Sequence, residues 1–414
     1  MKHKIMLSTL LAAFWTSTAP AQQSRPDLSL QLVIETYVQN NLELQAARYK
    51  LERTKADQIA ARLRPNPAIS VTAENLAVSG PTSFGKLYEV ATTYSETIEL
   101  GGKKALREKA ADATVSAAEV QFEDTMRRGL AEVKRLYLDA LLARSTVEVA
   151  AESRQTFEQL VRFNLTRFQE GAIPEGDLIK VRLERVKFDS SVKQAELSLR
   201  QATIRLLAKL GAAVSSDQQI GGELNFRVVS LDMNLLRQSA LSDRTDVRAA
   251  AADLIAAKER LALERARAKP DISPFAGYKR VGNDNTLLVG VSIPLKIRDR
   301  NEAEIARAEV DIKTVQVRLQ LARNHALAEL EAAYAALQAH RELVETFRSG
   351  LLDQADESRT ITLAAYEEGG IELLPVLDAQ RTRTEVRLHY YKTLFDYQAS
   401  IVALEFAAGR DIQP

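Results

Sequence analysis

The chain has 414 residues, with 56 Lys and Arg against 55 Asp and Glu, 11 Pro, 17 Gly and no Cys. So balanced a charge offers no concentrated basic face, which argues against a nucleic-acid partner. Without cysteine, disulfides, thiolate metal sites and thiol nucleophiles are excluded.

The first residues read as a secretory signal over 1–21. Lys2, His3 and Lys4 precede an apolar run at 5–15, and Ala19-Pro20-Ala21 fits a small-x-small cleavage site. The apolar run is about 11 residues, too short to cross a bilayer as a helix. Removing its two lysines from the 56 basic residues leaves 54 against 55 acidic ones, close to neutral. No later segment carries 18 uncharged apolar residues, so an exported chain of this kind is periplasmic, secreted or embedded as a β-barrel.

Beyond the signal, Ala, Leu, Glu, Arg and Gln dominate, a composition that favours long helices, and the clustered Gly and Pro mark where they stop. A helix is predicted over 28–63, strands over 68–78 and 87–100, and a long helix over 103–169. A turn at 171–176 leads to a return helix ending at 210. A connector follows, with Gly221 and Gly222. The order then repeats: helix 231–269, strands 272–279 and 286–294, long helix 302–367, a second turn, and a last helix to 408.

The repetition extends to the residues. Segment 44–70 aligns without a gap on 247–273 at an offset of 203, and both copies stop at a proline (Pro67, Pro270) before an Ile-Ser. Segment 163–211 aligns on 361–409 at an offset of 198, setting Gly171 against Gly369 and Gly211 against Gly409. Between them, Thr97-Ile98-Glu99-Leu100 matches Ser292-Ile293-Pro294-Leu295. The chain therefore divides into a first repeat, 22–211, a connector or equatorial segment, 212–230, and a second repeat, 231–414.

The long helices of about 65 residues would run roughly 100 Å, more than any compact core. Their apolar residues form one stripe, Leu130, Val133, Leu136, Tyr137 and Leu141 in one and Ile305, Ala308, Ile312, Val315 and Leu319 in the other. Ala328, Ala332, Ala333, Ala335 and Ala336 allow close helix approach. Helix pattern alone is compatible with a soluble coiled-coil rod. The strands add a second constraint, because Ile69, Val71 and Ala73, then Val90, Thr92 and Tyr94, then Leu287, Val289 and Val291 alternate with small or polar residues. One apolar and one polar face suits a strand between lipid and a watery lumen. Four strands cannot close a barrel and lipid does not tolerate open edges, so several chains would have to share one. A small soluble sheet capping a helical bundle is the other reading of the same pattern.

With this layout the sequence resembles the outer membrane factor family, the TolC-like exit ducts of tripartite efflux and type I secretion systems. The resemblance covers essentially the whole mature chain. It rests on the duplication and on Ile98-Glu99-Leu100-Gly101-Gly102-Lys103-Lys104, on Ile293-Pro294-Leu295 followed by Arg300-Asn301, and on Gly370-Ile371-Glu372-Leu373-Leu374 with Leu377-Asp378-Ala379-Gln380. The Leu-Gly-Gly-Lys junction is most similar to the heavy-metal branch, the ducts of cobalt-zinc-cadmium exporters. The resemblance implies a mainly α chain in a homotrimer, with a periplasmic α-barrel and four strands per chain in a shared twelve-stranded outer-membrane β-barrel. It also implies outer-membrane lipid, a periplasmic adaptor (membrane fusion protein) and an inner-membrane RND-type pump as partners.

The same resemblance places the barrel-to-helix junction at Gly101, Gly102, Lys103 and Lys104, and the partner-contacting hairpin tips at Gly171, Gly369 and Gly370. It makes Glu372 and Asp378 candidates for an acidic periplasmic aperture, although Pro375 stands where the family's best-known drug exporter has its second acid. Lys103, Lys104 and Arg107 open a helix, where positive charge opposes the dipole, which is compatible with a compensating partner such as lipid phosphate or, equally, with a solvated basic turn. His325, His340 and His389 are scattered, and no catalytic motif, cofactor site or metal-ligand cluster is expected. The chain thus reads as a passive exit duct for divalent heavy-metal cations, with drugs or secreted proteins as the alternative cargo. A periplasmic coiled-coil structural or adaptor protein is the reading from another class.

Overall fold

The structure, a computed structural model, describes residues 27–76, 79–81, 84–211 and 218–412. The signal at 1–21, the end of the first predicted strand (77–78) and the start of the connector (212–217) lie outside the described residues.

The predicted opening helix is two helices, α1 (Leu30–Asn40) and α2 (Leu42–Arg62). Asn41 breaks it: its carboxamide oxygen accepts from the Leu44 amide at 2.8 Å, and its nitrogen donates to the Lys209 carbonyl at 2.7 Å. This is an N-cap turned inward, satisfying the exposed amides of α2. Strand β1 (Ala68–Glu74) follows, then a short turn of helix, α3 (Phe84–Leu87), and β2 (Glu89–Ser95). The long helix α4 (Lys103–Gln169) has the predicted bounds, and α5 (Glu175–Leu210) returns along it.

The second half repeats the pattern, break included. Helix α6 (Met233–Ser242) and α7 (Thr245–Arg267) are separated at Arg244, which is 203 residues from Asn41, the offset already present in the sequence. In each half the last helix ends on a left-handed glycine pressed against this break. A Cβ on Gly211 would lie 2.5 Å from the Asn40 carbonyl oxygen, and one on Gly409 would lie 2.9 Å from the Arg244 Cα. Only glycine fits such a contact at φ near +70°.

Strands β3 (Ser273–Val281) and β4 (Asp284–Ser292) lead to α8 (Glu302–Thr346), α9 (Leu352–Glu367) and α10 (Leu373–Ala408). The predicted continuous helix over 302–367 is interrupted by a wide turn at Phe347–Leu351, where Gly350 has φ 127°. An Asn at a left-handed φ of 62°, Asn301, opens α8; asparagine tolerates that conformation.

The four strands form one antiparallel sheet in the order β1-β2-β3-β4. The ladder is shorter than predicted: β1 and β2 hold seven residues each, and residues 96–100 continue only as a single Ile98–Ile272 bridge. The halves meet at the β2–β3 pairing, Glu89 opposite Val281 through Ser95 opposite Phe275. The main core gathers α1, the middle of α4, the ends of α5 and α10, and the connector. The described connector residues strap across these helices. Tyr137 donates to the Gly221 carbonyl and Tyr397 to the Arg227 carbonyl, each at 2.6 Å.

Candidate functional site

Pairing register decides which side chains share a sheet face. Ile69, Tyr94, Ala276 and Val289 stand in one cross-strand row, and Val71, Thr92, Tyr278 and Leu287 in the next. This face is apolar yet open to its surroundings, with Leu287 85%, Val289 78% and Ile69 73% exposed. The opposite face carries Ser70, Thr72, Thr93, Ser95 and Thr286, with Lys279 paired to Glu89 across strands. A lone chain thus exposes an apolar sheet face and leaves the outer edges of β1 and β4 unpaired among the described residues. The helices show the same incompleteness. Val133, Tyr137 and Leu141 are buried as their stripe predicts, whereas Ile305, Ile312, Val315 and Leu319 are only half-buried and Ala328, Ala332 and Ala335 are exposed.

At the helix-side end of the sheet, Gly101 and Gly102 turn the chain with consecutive positive φ of 73° and 74°. A Cβ on Gly101 would meet the Lys269 side chain at 2.7 Å. The need for a compensating charge at the start of α4 is met from within the chain, which corrects the lipid-phosphate reading for these three cations. The Lys103 ammonium donates to Asp271 at 2.7 Å and to the Lys269 carbonyl at 2.6 Å, and Lys104 pairs with Glu108. Arg107 binds Glu99 and donates to the carbonyls of Ala61 and Leu63, both at 2.8 Å. Burial works against the Asp271 carboxylate, but the Lys103 ammonium and the Leu100 amide offset it and hold its pKa below the usual range.

At the other end of the helices, Gly171 and Gly369 take the left-handed conformation, with φ of 74° and 82°. Gly370 does not need it; a Cβ there would meet the Ala365 carbonyl at 3.3 Å. Asp378 and Glu372 are both exposed, Asp378 one helical turn before Arg381 on α10. Between the two hairpins lies a small apolar core of Phe157, Leu160, Val181, Tyr366, Leu373, Val376 and Leu377. The Tyr366 hydroxyl donates to the buried Asn164 side chain at 2.5 Å. The Arg167 guanidinium lies over both the Phe163 and Tyr366 rings.

Above this core the hairpins are joined by ion pairs that the sequence reading missed. Arg381 donates to Glu184 at 2.5 Å, and Lys187 donates to the same carboxylate at 2.7 Å. Glu152 receives Arg383 at 2.8 Å and also Arg387, while Arg383 reaches Asp356. Burial opposes ionisation of Glu152 and Glu184, but their guanidinium partners outweigh it and keep both pKa values low. These partners are 197 and 231 residues apart in sequence, and nothing local in either segment announces the pairing. Among the described residues no group of three or more His, Asp or Glu is placed to hold a metal ion.

The outer membrane efflux protein family model matches residues 33–212 and 236–410. The cobalt-zinc-cadmium resistance protein CzcC of Cupriavidus metallidurans is 27% identical over 404 residues, spanning 95% of this chain and 94% of its own. Among solved structures, CusC superposes with a TM-score of 0.76 at 21% identity, covering 93% of this chain and 92% of its own. The open state of the MtrE outer membrane channel of Neisseria gonorrhoeae gives 0.77 at 20% identity, covering 93% and 91%.

Proposed function

The chain belongs to the outer membrane efflux protein family, and from that premise we propose that it is the exit duct of a tripartite system that exports divalent heavy-metal cations. Its place is the outer membrane, with a large helical part in the periplasm. The observation that carries the duct reading is the incomplete sheet. An apolar face with two unpaired edges is not tolerated in lipid unless neighbouring copies complete it. Three copies supply twelve strands and a closed barrel, with the Ser- and Thr-lined face turned to a watery lumen.

The metal cargo rests on likeness to a protein named for cobalt, zinc and cadmium resistance. In this reading the duct is passive: it binds no cofactor, performs no reaction, and leaves selection to an inner-membrane RND-type pump and a periplasmic adaptor that meet the tips at Gly171, Gly369 and Gly370. The repeats 22–211 and 231–414, joined by 212–230, supply two quasi-equivalent hairpins per chain. Deletion of the gene should raise sensitivity to cobalt, zinc or cadmium and leave sensitivity to organic drugs unchanged. The reverse pattern would reassign the cargo to drugs.

Three copies also place Glu372 and Asp378 in rings of acids, and inward-facing rings favour cations over anions. Replacing Asp378 with Asn should reduce cation selectivity in single-channel recordings from planar bilayers. An unchanged reversal potential would remove Asp378 from the aperture.

A further inference from the structure

The register of the sheet sets one rim apart. Ala68, Ser95, Ser273 and Ser292 all lie at the same end of their strands, so segments 63–67, 96–102, 268–272 and 293–301 gather where strands become helices. The rim's acids are largely engaged. Glu99 holds Arg107, Asp271 holds Lys103, and Asp299 accepts the Asn301 amide at 2.8 Å. Arg64, Arg298 and Arg300 are exposed and have no hydrogen bond or ion pair among the described residues, and Lys296, also exposed, has neither but acts electrostatically on Asp271. They are interleaved with apolar side chains that are also exposed, Leu295 at 73% and Ile297 at 69%. Both lie beyond the last ladder residue of β4, in a segment with no strand pairing and a bend at 297–298. Tyr94, on the apolar face one residue inside the rim, directs its hydroxyl to Glu96 at 3.4 Å. An amphipathic ring at that depth, polar end outward, is typical of a strand at the edge of the hydrocarbon.

We propose that this rim binds anionic glycerophospholipid headgroups of the periplasmic leaflet, with Arg64, Lys296, Arg298 and Arg300 as the cations that meet the phosphates. The inference rests on the reading of the sheet as part of a membrane barrel. Leu295 and Ile297 enter the acyl boundary while the neighbouring cations stay at headgroup level, an arrangement that long basic side chains adopt readily. The surplus of exposed cations supplies charge complementarity to an anionic lipid surface. The paired Lys103 and Arg107 instead hold the ends of α2 and α7 to the start of α4 beneath it.

The test uses the full chain purified in neutral detergent and offered equal amounts of phosphatidylglycerol and phosphatidylcholine, with retained lipid counted by native mass spectrometry. Phosphatidylglycerol should be retained about tenfold over phosphatidylcholine, a preference built from several cations acting together. The triple variant Lys296→Gln, Arg298→Gln, Arg300→Gln should lose the preference, and Lys296→Arg should keep it. A control pair on α8, Lys313→Gln with Arg323→Gln, should also keep it. Equal retention by the wild type, or an unchanged preference in the triple variant, overturns the proposal. In parallel, the wild type is added to vesicles of each composition. Failure to insert and conduct in either overturns the duct reading together with this one, whereas insertion and conductance without lipid preference overturn this one alone.

Discussion

Arg244 gives a prediction whose size follows from its surroundings. The residue is 1% exposed, the largest fully buried side chain among those described. Its guanidinium donates to Asp246 at 3.0 and 2.6 Å, to Glu329 at 2.8 Å and to the Ala407 carbonyl at 3.3 Å. Burial disfavours the Asp246 carboxylate, but Arg244 outweighs it and keeps that pKa low. Replacing Arg244 with Met fills much of the volume but strands the Asp246 charge, and removing one partner of a buried pair costs about 3–5 kcal/mol. The neighbouring Arg127, 3.7 Å from Asp246, recovers part of this, so a loss of about 3 kcal/mol is expected. The Arg248 amide, bonded to the Arg244 carbonyl at 3.0 Å, reports on the break directly. Its hydrogen exchange should accelerate about 100-fold, since each 1.4 kcal/mol is a factor of ten. Adding Asp246→Leu removes the stranded charge and should restore much of the loss, because apolar replacement of a whole buried pair is often neutral. An Arg244→Met protein with exchange within threefold of wild type, or a double variant worse than the single, would refute the reasoning.

Two further outcomes follow from packing and charge. A Cβ on Gly129, inside α4, would lie 1.7 Å from the Tyr37 hydroxyl oxygen and 2.5 Å from its Cζ. Gly129→Ala should therefore lower the unfolding stability by about 2 kcal/mol or more; Tyr37→Phe should not rescue it, since Cζ remains in the way, whereas Tyr37→Leu should. The carboxyls of Glu152 and Glu184 have folded pKa values held below the unfolded value of about 4.3, so their stabilisation is present above that pH and is lost as pH falls through the depressed folded values. In denaturant titrations from about pH 5 to pH 3, a Glu152→Gln, Glu184→Gln protein should lose less stability than wild type; an identical pH slope would dissociate these pairs from folding.

Much of the architecture was legible because it depends on punctuation and period. Gly171, Gly211, Gly369 and Gly409 occupy left-handed positions, and the equal spacing of these glycines betrays the repeat. The strand faces were legible from period-two alternation, and the register leaves Leu287 and Val289 on the apolar side. Other features were hidden by the physics that makes them. The Asn41 and Arg244 breaks preserve the apolar period on either side, so a sequence window reads straight through them, and Arg244 looks like an ordinary surface cation until Asp246 and Glu329 enclose it. Gly350 was the one visible sign of the wide turn in the second long helix. The hairpin-joining pairs around Glu152 and Glu184 link helices far apart in sequence, and a charged residue on a helix face carries no mark of its partner. The basic start of α4 shows the converse: the demand for counter-charge was readable from Lys103 and Arg107, but its source, Asp271 and Glu99, was not.

Each half closes on itself. Gly211 seats against Asn40 of its own half, and Gly409 against Arg244 of its own. The two halves are then joined through the β2–β3 ladder, through a core that both share with the connector, and through the pairs at Glu152 and Glu184. The ladder in that joint is of the same kind as the one β4 offers to the β1 of a neighbouring copy. A ring of six half-length chains and a ring of three full-length chains are therefore stoichiometric equivalents of one wall. Joining two halves in one chain makes one seam covalent and leaves the corresponding positions free to differ, as Asn41 and Arg244 do.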